Sequence, residues 1–251
     1  MSFLVIQAVA PVLALACSGN TPDDTTPVET GDDRLYVPED LLHSELSGEG
    51  SGLTLIALTL VDGANGAELY AAVRNDDSTP ACSAGMMTNF IDKNEVVVTT
   101  TGANLESGRY FRINDGSGVI LPCVAPGQIA MTASTELPDS VVITELGRLE
   151  YTFPAFTVDV VPVEGLTVSN VATVSRSPGS AYTGTLTNDF DTAVSAPSVA
   201  IYPVNRVGRP LGVAKSAATT DVPPATSWTF ETSTVTDPGV DHVAFPAATI
   251  P

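Results

Sequence analysis

Two histidines, His43 and His242, are the side chains whose unperturbed proton affinity suits acid–base work near neutral pH. His242 follows Asp241, a neighbour that could orient an imidazole. A serine partner would need a placed nucleophile, and no Gly-x-Ser-x-Gly elbow occurs. No Cys and His spacing fits a metal site. Gly48, Gly50 and Gly52 follow no strand pattern and precede no lysine, so they make no phosphate loop. Two clusters, Asn75-Asp76-Asp77 and Asn188-Asp189-Phe190-Asp191, offer the oxygen ligands calcium takes. Asn and Asp are also ordinary turn residues. We read both clusters as turns, with calcium on Asp76, Asp77, Asp189 and Asp191 as the alternative. These residues give no catalytic constellation, and none of them calls for a cofactor.

Binding chemistry is the other possibility. Arg109-Tyr110-Phe111-Arg112 sets two arginines around two aromatics in a chain of net charge −19. Arg and Tyr are enriched at protein interfaces, so these four residues are a candidate interaction edge. We read them as an ordinary extra strand pair whose charges blunt an exposed edge, with the interaction edge as the alternative. The net charge itself argues against nucleic acid, whose phosphates need clustered Lys and Arg. It also argues against docking on anionic lipid by charge. One tryptophan and 6% aromatic residues give little material for stacking sugars, and Trp228 alternates with Phe230 as a core residue would. A protein or glycan partner stays open, with no partner specified by these residues.

Three cysteines remain: Cys17, Cys82 and Cys123. An odd number needs explaining in an exported protein. Residues 3–16 are apolar except for Gln7 and Pro11, too short to span a bilayer but of the length of a signal-peptide core. The run closes on Leu13-Ala14-Leu15-Ala16-Cys17 and turns polar at once. This resembles the lipobox of bacterial lipoproteins, with Ala14 where Leu is usual. The resemblance implies removal of residues 1–16, acylation of Cys17 and a lipid anchor, and Ser18 after it implies the outer membrane. A plain secreted protein is the alternative. With Cys17 lipidated, Cys82 and Cys123 are left to form a disulfide, permitted in an oxidising compartment.

Those residues need elements to hold them. Residues 17–51 are rich in Pro, Thr, Gly and acid, a composition with too little to bury to offset ordering, and are expected to be a disordered linker containing His43. Beyond it, strand-length runs alternate with Gly, Pro, Asn and Asp turns, and helical periodicity is nowhere sustained. Gly52-Leu53-Thr54 recurs as Gly165-Leu166-Thr167, 113 positions on. Asn75-Asp76 recurs as Asn188-Asp189, and Thr79 as Thr192, at the same offset. An internal repeat at this spacing implies two units. Residues 104–121 are an insertion in the first, with Asn114-Asp115-Gly116 as a hairpin turn.

In the second unit, the strand running to Asn188-Asp189 is followed by Val199-Ala200-Ile201-Tyr202 and a turn at Gly208. Val222-Pro223-Pro224 then precedes Trp228-Thr229-Phe230. Over residues 163–250 this is similar to the FxLYD domain of bacterial envelope proteins. Val199 stands for the Phe and Pro203 for the Asp; Phe90-Ile91-Asp92 is the nearest equivalent in the first unit. The resemblance implies architecture and location, not an activity. The expected molecule is all-β: two tandem antiparallel immunoglobulin-like β-sandwich domains, residues 52–155 and 160–251, after the signal peptide and linker.

Overall fold

Alternation of large apolar residues with Thr, Ser and Ala builds seventeen strands among the described residues. The computed structural model describes residues 41–46, 52–63, 66–135 and 137–250; residues 1–16, expected to be a signal peptide, Cys17 and residues 18–40 lie outside them. In the first half the strands are β1 (Leu42–Glu45), β2 (Leu53–Gly63), β3 (Gly66–Asn75), β4 (Ala81–Cys82), β5 (Gly85–Asp92) and β6 (Val97–Asn104). They continue with β7 (Tyr110–Ile113), β8 (Ile120–Val124), β9 (Ile129–Ser134), β10 (Leu146–Thr152) and β11 (Val160–Val163). The second half has β12 (Leu166–Ser175), β13 (Ser180–Asn188), β14 (Ser195–Val204), β15 (Ala214–Ala217), β16 (Ser227–Glu231) and β17 (Asp241–Thr249). A 3-10 turn at Ile143–Glu145 leads into β10.

The two halves repeat one topology. Sheet order β2-β3-β9 recurs as β12-β13-β16, and β10-β5-β6 recurs as β17-β14-β15. In each half the two sheets share a core. In the first, Leu58, Leu60, Leu69 and Val73 meet Phe90 and Leu149. In the second, Leu186 and Phe230 meet Val199 and Ile201. Two hydrophobic faces closed on each other make a β-sandwich.

Strands β3 and β14 are buried on both faces, which explains their near-continuous apolar sequences. In β3, Leu69, Ala71 and Val73 enter the first core, while Ala72 faces the other way. In β14, Val199 and Ile201 enter the second core, while Ala200, Tyr202 and Val204 face out. Those outward residues meet: Ala72 and Met131 pack with Ala200, Tyr202, Val204 and Phe245 in a third core. The middle sheets β2-β3-β9 and β15-β14-β17 therefore form a seam, and the described residues belong to one compact unit. Thr59, fully buried, donates its hydroxyl to the Pro210 carbonyl across it at 2.7 Å.

Two segments differ from the sequence reading. Residues 42–45, expected in a disordered linker, form β1 and pair in parallel with β10, with Leu41 buried in the first core. Buried Leu41 and the backbone pairing of Leu42–Glu45 with the edge of β10 hold this short segment. Val160–Val163, assigned to the second unit, pairs instead with β7 of the first. The small sheet β11-β7-β8-β4 is the inserted hairpin with a strand on each flank.

Candidate functional site

Cys82 and Cys123 are cross-strand neighbours on β4 and β8 and form a disulfide, with Cα atoms 3.9 Å apart. Both are buried with Phe111 in a small satellite core. The Cys82 amide and carbonyl also pair with those of Phe156, each at 2.9 Å. The bond thus pins the inserted hairpin, the chain after β10 and the first sandwich at one point. In the second half the bridge between Val194 and Val222 corresponds to the neighbouring pair Ala81 and Val124, and no disulfide accompanies it among the described residues.

The residues of the candidate interaction edge do not share one surface. Strand β7 is hydrogen-bonded on both flanks, to β11 and β8, so it is not an edge. Tyr110 and Phe111 are buried on opposite faces; Arg109 and Arg112 are exposed. The Tyr110 ring packs edge-on to Phe190 with centroids 5.3 Å apart, and its hydroxyl accepts the Ala248 amide at 3.1 Å. Burial pushes its phenol up to about 12. This aromatic pair joins the hairpin to the second half. Sequence reading missed the role because β11, which covers β7, arrives some fifty residues later.

The acidic clusters are built as turns. The Asn75 side-chain amide donates to the carbonyls of Thr79 and Val124, both at 2.8 Å, and its oxygen accepts the Asp77 amide. Asn188 does the same with Thr192, Val222 and Phe190. Both side chains are fully buried. Asp76 pairs with Arg74, whose hydrogen bond, together with that of Thr54, holds the carboxyl below its ordinary range. Asp189 accepts the Thr167 hydroxyl at 2.6 Å. Asp77 caps the Ser78 amide, and Asp191 is exposed. The Asp76–Asp77 and Asp189–Asp191 pairs sit in separate turns, and no group of three metal-ligating side chains occurs among the described residues.

His43 is exposed on β1, its ring centroid 6.4 Å from that of Tyr151. His242, on β17, lies beside the Tyr182 ring at 5.4 Å, and no serine bonds to it among the described residues. Trp228 packs half-buried against the second core. The outer flank of β17 is blunted against further pairing. The His242 amide donates to Asp241 Oδ1, Pro246 has no amide hydrogen, and the Ala248 amide is taken by Tyr110.

The polar group that sequence reading overlooked is Glu106. It lies between β6 and β7 and is fixed by a two-way backbone bridge to Met131. Its Oε1 accepts from Lys215 Nζ at 3.1 Å, across the seam. Its Oε2 is buried without a hydrogen-bond partner of ordinary length, and so is the Tyr202 hydroxyl. A crevice of about 490 Å3 runs along this side of the seam, between Leu105–Gly108 and the small residues Ser198, Ala217 and Ala247. A lone glutamate carries no sequence signal of such a role, since its partners sit on strands about a hundred residues away.

No family model matches the chain, and no curated protein matches it. Among solved structures, red sea bream transglutaminase is similar at 9% identity and a TM-score of 0.23. The match covers 79% of this chain and 27% of the transglutaminase, so the chain spans about a quarter of that protein's length. A likeness this slight carries no argument about fold or activity.

Proposed function

We propose that the chain is an exported, non-catalytic lipoprotein of the bacterial cell envelope, anchored through Cys17 and displaying two tandem sandwich domains. The supporting observation is the disulfide. Cys82 and Cys123 are consumed in a bond that persists in oxidising compartments, which leaves Cys17 as the unpaired cysteine. Cys17 follows an apolar run and precedes a polar, acidic stalk, the setting of a lipidated cysteine. Multiple acyl chains, at about 0.8 kcal/mol per buried methylene, give a firm anchor. Residues 18–40 then form the tether, which ends where Leu41 and β1 dock on the first sandwich. The sandwiches present binding or structural surface at the outer membrane.

Metabolic labelling with an alkyne fatty acid tests this reading. The wild type should take up label and partition with membranes, and Cys17→Ser should lose both. An unlabelled wild type released to the medium would make the protein a secreted one.

A further inference from the structure

The crevice of about 490 Å3 beside the seam has the size of a small-molecule site, with apolar walls and a few polar groups. Lys215 and Glu106, paired at 3.1 Å, both line it, and their side chains remain 56% and 24% exposed. On the sheet β15-β14-β17, Lys215, Ala200 and Phe245 stand in register, and Ala200 and Phe245 belong to the third core. The next row is Ala217, Ser198 and Ala247. There the sheet face leaves the seam, and the loop Leu105–Gly108 forms the facing wall. The Ser198 hydroxyl has no hydrogen-bond partner among the described residues.

The ion pair restricts the occupant. An anion drawn to Lys215 meets the Glu106 carboxylate, and a cation drawn to Glu106 meets the Lys215 ammonium. A neutral group that both donates and accepts suits the two together. The ammonium has three donors, of which Glu106 takes one, and the carboxylate oxygen keeps a further lone pair. A hydroxyl donates and accepts through one oxygen, so adjacent hydroxyls on a ring can bridge the pair. A peptide backbone also donates and accepts, but it joins a sheet through a free strand flank. On β17, Pro246 has no amide hydrogen and the Ala248 amide donates to the Tyr110 hydroxyl. On β15, the Lys215 amide donates to the Ser233 hydroxyl and its carbonyl accepts the Ser233 amide. We propose that this crevice binds a neutral sugar, whose hydroxyls bridge Lys215 and Glu106 while the C–H face of its ring rests on Ala217, Ser198 and Ala247. The site gives the displayed sandwiches a ligand class and does not depend on Cys17, so its test and the fatty-acid labelling of Cys17 can fail separately.

Amide NMR of the full chain, titrated with glucose, galactose and N-acetylglucosamine, tests the site. At least one of these sugars should give saturable shifts confined to amides around Leu105, Ser198, Ala217 and Ala247. Lys215→Ala should weaken its binding about tenfold or more, through loss of a charged hydrogen-bond donor. Ala217→Leu should abolish it by filling the crevice. The amides of β5 and β13 should stay as in the wild type in both variants, and either variant decides if the other does not fold. The tripeptide Ala-Ser-Ala and the anionic sugar N-acetylneuraminate should leave the crevice amides unshifted. Three neutral sugars that give no saturable shift up to about 100 mM, weaker than any ordinary specific site, would overturn the proposal. So would sugar binding that survives both substitutions, or a crevice that takes the tripeptide or the anion instead.

Discussion

Asn75 and Asn188 stand 113 positions apart and make the same three side-chain hydrogen bonds. The likeness extends to their neighbours. The Asp76 amide donates to Gly52 at 2.7 Å, and the Asp189 amide to Gly165 at 2.8 Å. Thr54 bonds to Asp76 as Thr167 bonds to Asp189. Each asparagine ties the end of the second strand of its sandwich to the segment entering the strand that flanks it. The repeat is thus a repeated device for closing a sandwich corner, and its carboxylates are occupied in that work.

Replacing either asparagine by alanine strands one buried carbonyl, that of Val124 or Val222, and frees a second carbonyl and a backbone amide nearer the surface. Asn75→Ala and Asn188→Ala should each lower stability by about 2–4 kcal/mol, read from urea unfolding. A loss below about 1 kcal/mol at both positions would show that water serves these groups equally well.

The Cys82–Cys123 bond spans 41 residues of sequence. Replacing both cysteines by alanine should cost about 3–4 kcal/mol through the added freedom of the unfolded chain. The second half, which holds none of the three cysteines, should unfold with an unchanged response to reductant when protected amides are followed locally. Reductant that left the whole profile unaltered would contradict the assignment.

Tyr110, not the arginines beside it, should carry the energetic weight of strand β7. Tyr110→Phe removes the acceptor of the Ala248 amide and should cost about 1–3 kcal/mol. Arg109→Ala and Arg112→Ala, both at exposed positions, should leave the unfolding midpoint where it was. The reverse ranking would point back to an interaction surface on the arginines.

Alkali should reveal the buried phenols. Tyr110 and Tyr182 are each pushed up to about 12, chiefly by burial. An absorbance titration of the six tyrosines should therefore show at least two that ionise well above pH 10. The sign follows: a phenol with a raised folded-state value favours the fold fully below pH 10 and loses that contribution as pH climbs from 10 to 12. Six phenols titrating together near pH 10 in the folded protein would contradict the burial.

Local patterns carried much of this fold in the sequence. Strand order, the repeat and the Asn-Asp corners were legible because turn chemistry and two-residue alternation act over a few residues. The disulfide was legible by counting. The seam was not, because Ala72, Ala200 and Tyr202 look like ordinary strand residues until two sheets are laid face to face. The same blindness made Arg109–Arg112 read as an edge, since covering strand β11 follows well after the hairpin. The docking of β1 uses the burial of Leu41 and pairing with β10, in a segment whose composition favours disorder. Glu106 was invisible for the converse reason: the groups its carboxyl meets, Lys215 and Tyr202, come from the other half.

The central claim is an exported chain whose cysteines divide into one lipid anchor and one disulfide. Intact-mass and non-reducing peptide mass spectrometry of protein extracted from the native membrane tests both parts at once. The expected result is a chain beginning at Cys17, heavier by its acyl groups, with the Cys82 peptide linked to that of Cys123. A chain that still carries residues 1–16, or one beginning at Cys17 with no acyl mass and two free thiols at positions 82 and 123, would contradict it.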